Sequence, residues 1–119
     1  ALESEDYYVF SRIYPSQGWS NTTYHIYVID RDLSVRRYET PILKFIGFRG
    51  AEHGKPENPV LSQDGTSLTY TVTLTEDAYR YDFYGETYSD LLFEKGIYTI
   101  TMDLATGEQT WTRAELGVD

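Results

Sequence analysis

Apolar and polar side chains alternate with a period of two along most of this chain, which is the pattern of strands rather than helices. The segment SLTYTVTLT, residues 67–75, shows it most cleanly. Leu68, Tyr70, Val72 and Leu74 fall on one side, and Ser67, Thr69, Thr71, Thr73 and Thr75 on the other. One apolar face and one hydroxyl face suit an antiparallel sheet with one side open to water. GIYTITMDL (96–104) follows the same rule, with Tyr98, Ile100 and Met102 inward. TYHIYVID (23–30) sets Tyr24, Ile26 and Val28 against His25, Tyr27 and Ile29. YYVFSRIY (7–14) is bulky on both sides, so it predicts a strand covered on both faces. ILKFIGF (42–48) is a dense apolar run, and Gly47 within it marks a bulge.

The breaks between these runs are equally informative. Pro15 to Gly18 ends the first strand, and GAEHGKPENP (50–59) reads as a loop by composition. QDGT (63–66) is a turn signal, with Gly65 available for positive φ. SDLLFEKG (89–96) is the one stretch that predicts a short helix, capped by Ser89 and ended by Gly96. YVIDRDLSVRRY (27–38) and ITMDLATGEQTW (100–111) share a form. Each has an Asp at the end of a strand and an aromatic residue eight positions later, Asp30 to Tyr38 and Asp103 to Trp111. Both read as hairpins with short loops. The sum is an all-β fold: a mainly antiparallel β-sandwich of about seven to eight strands, with at most one short helical turn, over a single domain spanning residues 1–119.

Composition narrows the class. A chain of 119 residues buries roughly two-thirds of its unfolded surface, enough for a core without staples. Twelve Tyr and an aromatic content of 16% argue against disorder. The absence of Cys removes disulfides, thiolate metal sites and a Cys nucleophile. A net charge of −9 opposes a nucleic-acid partner, because phosphate would be repelled. The charge is uneven: in residues 31–55, Arg31, Arg36, Arg37, Lys44, Arg49 and Lys55 outnumber Asp32, Glu39 and Glu52. No apolar run approaches the roughly 20 residues that span a bilayer, so the chain is expected not to span a membrane. It opens on Ala1 rather than Met, which reads as a trimmed start with any export signal or lipid anchor upstream.

EKGIY (94–98), followed by TITMDLATGEQTW, resembles the end of bacterial extracytoplasmic immunoglobulin-like or fibronectin-like domains. That resemblance covers about a sixth of the chain. It implies a sandwich in which the hydroxyl of Tyr98 bonds back to the backbone at a corner. The chain departs from the pattern between Leu74 and Tyr98, where the corner should follow sooner, so the acidic, Tyr-rich stretch between them reads as an insertion or an extra strand. LSQDGTSLTY (61–70) and MDLATGEQT (102–110) also look like phrases from β-propeller blades. A chain this short cannot hold four blades, so they are taken as hairpin chemistry.

Candidate chemistry is sparse. His25 lies mid-strand and His53 in the presumed loop, without the ligand spacing of a metal site. Asp30-Arg31-Asp32-Leu33-Ser34 has the alternating oxygens of a calcium loop. It has Val35 where that loop needs Gly and Pro41 where it needs an acid, so a hairpin turn is the better reading. There is no nucleophile elbow, phosphate loop or dinucleotide fingerprint, and neither catalysis nor a cofactor is expected. AYRYDFYGETYSD (78–90) is the densest aromatic and acidic stretch. As a strand it would put Tyr79, Tyr81 and Phe83 toward the core, and Arg80, Asp82 and Tyr84 outward. Flat rings beside carboxylates suit a pyranose, which nominates Trp19, Asp82, Tyr84, Glu86 and Tyr88 as ligand-binding residues. Asn21-Thr22-Thr23 is a glycosylation triplet.

These readings predict a non-catalytic accessory or protein-interaction domain of an exported or cell-surface bacterial protein. It would hold a partner protein, or other domains of its own chain, through a sheet edge or the Tyr-rich face. A carbohydrate-binding module is the alternative, and a structural spacer the third.

Overall fold

A computed structural model describes residues 2–15, 22–46, 50–82 and 87–117. Twelve strands follow one another in it: β1 (Leu2–Glu3), β2 (Tyr7–Pro15), β3 (Thr22–Asp30), β4 (Val35–Glu39), β5 (Leu43–Ile46), β6 (Gly50–His53), β7 (Glu57–Leu61), β8 (Ser67–Leu74), β9 (Ala78–Asp82), β10 (Thr87–Phe93), β11 (Gly96–Asp103) and β12 (Gln109–Ala114). The all-β, sandwich-like class is as expected, with more and shorter strands than seven or eight. One sheet has the order β1-β2-β3-β6-β5, with β4 also on β3. A second has the order β12-β11-β8-β7, and β9 and β10 form a small sheet of their own. Among the described residues, all pairings are antiparallel except a single parallel bridge, Thr22 to Glu52, between β3 and β6.

The period-two pattern sets the core. Ile26, Val28 and Val9 from the first sheet meet Leu68, Tyr70, Val72, Tyr98, Ile100 and Met102 from the second, all buried. Removing that apolar area from water at about 25 cal/mol per Å² is the main force holding the sheets face to face. The threonines of β8 pair in register with those of β11 and β12 on the solvent side: Thr69 with Thr101, which pairs with Thr110, and Thr71 with Thr99, which pairs with Thr112.

Three expectations are corrected. Residues 89–96 are not helical, because Thr87–Phe93 pairs with β9, where Tyr88 lies opposite Tyr81 and Leu91 opposite Tyr79. With seven residues or so of weak periodicity, nearby pairing partners outweigh local capping. Residues 50–59 are not a plain loop but supply β6 and most of β7. Pro is admitted there because β7 is an edge. β2 is not covered on both faces: Ile13 is 50% exposed and Tyr8 is exposed too. The Gly47 bulge lies outside the described residues.

The two similar hairpins form as read, and they dock on each other. In β3–β4, Leu33 N–H donates to the Asp30 carbonyl and Asp30 N–H to that of Ser34. In β11–β12, Asp103 N–H donates to the Glu108 carbonyl and Gly107 N–H to that of Asp103. Arg36 joins the two. Its Nε and Nη2 donate to the Asp30 carboxylate, its Nη1 to the Tyr38 hydroxyl, and Nη1 and Nη2 to the carbonyls of Ala105 and Leu104. All five guanidinium donors are thereby used, the fork geometry that Lys cannot reproduce. The Tyr38 ring lies against Gly107 so closely that a Cβ there would sit 2.2 Å from it, and Gly107 has φ +80°. Any other residue would meet both strain and a clash.

Between β8 and β11 the chain leaves the second sheet to make the β9–β10 hairpin, and then returns to pair β11 directly with β8. The Tyr-rich stretch is thus an extra pair of strands. After it, the Tyr98 hydroxyl donates to the Glu94 carbonyl at 2.7 Å, the backbone bond expected of that residue.

Candidate interaction edge

Side chains nominated from the sequence are only partly placed. Trp19, Tyr84 and Glu86 lie outside the described residues. Asp82 ends β9 opposite Thr87, and Tyr88 sits in β10 opposite Tyr81, so the hairpin brings these two segments side by side. The face expected to be core is reversed at its start: Ala78 is buried and Tyr79 is 38% exposed.

The histidines come together on the first sheet. His25 and His53 are both buried, and His25 Nε2 lies 3.7 Å from a Glu39 carboxylate oxygen. Burial lowers the pKa of both. For His25 the Arg37 and His53 charges add to that and Glu39 opposes it, while for His53 Glu39 and the Thr40 backbone oppose it. Among the described residues, no three His, Cys, Asp or Glu side chains are placed to share a metal ion. Three of the basic residues of 31–55 lie in separate pairs: Arg31 with Asp6, Arg36 with Asp30, Lys44 with Glu76. The Arg36 bond, with help from Ser34, holds the Asp30 carboxyl below its ordinary pKa. The calcium-loop oxygens are spent likewise, since Asp32 accepts from the N–H and hydroxyl of Ser34.

The feature best suited to recognition is β12. It pairs with β11 without a register shift from Gln109 to Ala114, and among the described residues no strand lies on its other side. The Asp103–Glu108 bond fixes which backbone groups point where. Because peptide groups alternate along a strand, Thr110, Thr112 and Ala114 turn toward β11. Gln109, Trp111 and Arg113 turn their N–H and C=O groups outward. Side chains of the same three residues point to the core side and pin the strand. Gln109 accepts from the buried Tyr70 hydroxyl and donates to the Glu39 carbonyl at 2.9 Å. Arg113 donates to the Lys95 carbonyl and pairs with Glu94 at 3.2 Å. Trp111 meets Phe93 edge-on, which meets Tyr98 in turn, yet Trp111 is still 42% exposed. β12 is therefore rigid, straight in register and half-satisfied.

Sequence reasoning passed over Trp111 in favour of Trp19. The available signal was TWTR itself, a β-favouring run without Pro or Gly after the last turn. Comparison of the chain with protein-family models, with curated proteins and with solved structures finds no match.

Proposed function

We propose that this chain is a non-catalytic protein-interaction domain, and that an extended segment of its partner joins β12 as a further strand of the four-stranded sheet. One observation carries the reading: three outward-facing peptide groups, at Gln109, Trp111 and Arg113, lie on an edge held rigid at both ends. Strand addition draws affinity from such main-chain groups and specificity from pockets for alternate side chains. Trp111, with one side on Phe93 and the other toward water, supplies an aromatic contact at the middle of the edge. A long unprotected edge without such a use is an aggregation hazard.

Peptides selected from a random library against the domain test this. Bound peptides are expected to shift the backbone amide resonances of Gln109, Trp111 and Arg113 and to lose most of their affinity to the Trp111→Lys variant. Selected binders that leave those three amides unmoved would overturn the reading.

A further inference from the structure

The two sheets turn different outer faces to their surroundings. The second shows six threonines: Thr69, Thr71, Thr99, Thr101, Thr110 and Thr112. On the first, Val9 and Val28 are buried in the core, so their chain neighbours Tyr8 and Ile29 lie on the opposite face. Glu3 pairs with Tyr8, Tyr8 with Ile29 and Ile29 with Val35, which makes one row across β1, β2, β3 and β4. The next row runs Phe10, Tyr27, Arg37, so five of these seven side chains are apolar or aromatic. Tyr8 is 41% exposed and Val35 59%, while Ile29, Phe10 and Tyr27 are half-buried. The third row, Arg12, His25 and Glu39, is polar and ends the patch.

The Phe10 and Tyr27 rings are stacked, 5.0 Å apart and within 6° of parallel. Their faces are spent on each other, so the pair offers its edges outward, where a pyranose needs a flat face. Leu33, at the turn beside the patch, is 80% exposed and takes φ 71°, a left-handed conformation that a bulky residue seldom adopts. With Glu3, Tyr8 and Ile29 it lines a shallow pocket of about 180 Å³. A contiguous apolar patch rimmed by polar residues marks an interaction surface.

Charge points to the occupant. Exposed Glu3 stands on the β1 side of the patch and exposed Arg37 on the β4 side. A face with opposite charges on its two sides complements itself after a two-fold rotation. An axis running along the strands between β2 and β3 lays Tyr8 of one copy on Ile29 of the other and Phe10 on Tyr27, with the strands of the two sheets aligned. The same rotation brings Glu3 of each copy to Val35 and Arg37 of the other, and Leu33 to the pocket beside Glu3 and Tyr8. We propose that this chain forms a two-fold dimer through the outer face of its first sheet, with Tyr8, Phe10, Tyr27 and Ile29 at the centre and Glu3–Arg37 pairs at both rims. This interface is on the opposite sheet from β12, so it and strand addition stand or fall separately.

Sedimentation of the domain across a range of concentrations tests this, with contacts between copies read by isotope-filtered NMR on a mixture of labelled and unlabelled chains. A monomer–dimer equilibrium is expected, with contacts between copies from Tyr8 to Ile29 and from Phe10 to Tyr27. Val35→Glu, at an exposed position that does not endanger folding, sets an acid against Glu3 of the other copy and should weaken the dimer at least about tenfold. Arg37→Glu and Glu3→Arg should each weaken it severalfold. Both changes in one chain should restore most of the affinity, a recovery that damage to the fold would not give. A chain that stays monomeric at every concentration would overturn the proposal, since the patch would then belong to a different partner. A dimer unchanged by Val35→Glu, a double variant no tighter than the singles, or contacts between copies confined to β12 would each overturn it too.

Discussion

β7 and β12 are the two edges of one four-stranded sheet, and the chain has treated them oppositely. On β7, Asn58 and Pro59 together span what Tyr70 alone spans on β8, a bulge between Glu57 and Val60. Asn58 takes φ 52°, in the left-handed region that Asn tolerates better than most residues. The Ser62 N–H bond to the Ser67 carbonyl turns Ser62 and Val60 toward β8, so Leu61 and Pro59 face outward, and Pro59 has no N–H to offer. This is how proteins deny an edge to a partner. β12 has none of these devices. Its six residues hold one register, three of them offer both backbone groups outward, and side chains from neighbouring strands fasten it in place. The contrast teaches that edge protection was available to this sheet and is missing on one side only.

The strongest way to break the comparison is to move a proline along β12. Thr112→Pro removes a bond to β11 and is expected to cost about 3 kcal/mol or more, whereas Arg113→Pro, whose N–H faces outward, should cost about 1 kcal/mol with its side-chain contacts. Urea denaturation of the pair checks this, and equal losses would refute the assigned alternation. Tyr70→Phe leaves the Gln109 amide oxygen without its donor and should cost about 1–3 kcal/mol, while amide exchange at Thr110 quickens. Pro59→Thr gives β7 an outward N–H. Stability should change by less than about 1 kcal/mol, and sedimentation should show new concentration-dependent association if the proline is what blunts that edge.

Acid sharpens the comparison by touching the other sheet. His25 and His53 have folded pKa values below their ordinary value because burial disfavours the charged ring. Between the two values the unfolded chain binds protons that the folded chain does not. Their stabilisation is therefore complete above about pH 6.5 and declines as pH falls through the lowered values. His53→Gln should flatten that slope between pH 7 and 5 while leaving β12 exchange unchanged.

Much of the second sheet could be read directly. The alternation of Leu68, Tyr70, Val72 and Leu74 with threonines, the turn at Gly65 (φ 73°) and both Asp-led hairpins depend on local pattern and are found where the pattern puts them, while the Tyr98 hydroxyl bond was expected from the resemblance alone. Strands hidden behind Gly and Pro, β6 and most of β7, were missed because composition cannot show that an edge tolerates them. β10 was misread because Leu91, Leu92 and Phe93 fit a helix turn as well as a strand, and its pairing with β9 decided between them. TWTR (110–113) marked a strand, but not that this strand is an edge. That β12, among the described residues, has a neighbour on one side only is a property of strand order, and the docking of Arg36 on Leu104 and Ala105 joins residues nearly seventy positions apart.

Amide hydrogen exchange along β12, resolved residue by residue in the isolated domain, tests the open edge most directly. Thr110, Thr112 and Ala114 are expected to be protected, and Gln109, Trp111 and Arg113 to exchange at nearly the unprotected rate until a bound peptide slows them. Uniform protection of all six in the isolated domain would contradict the open edge, and with it the proposed mode of binding.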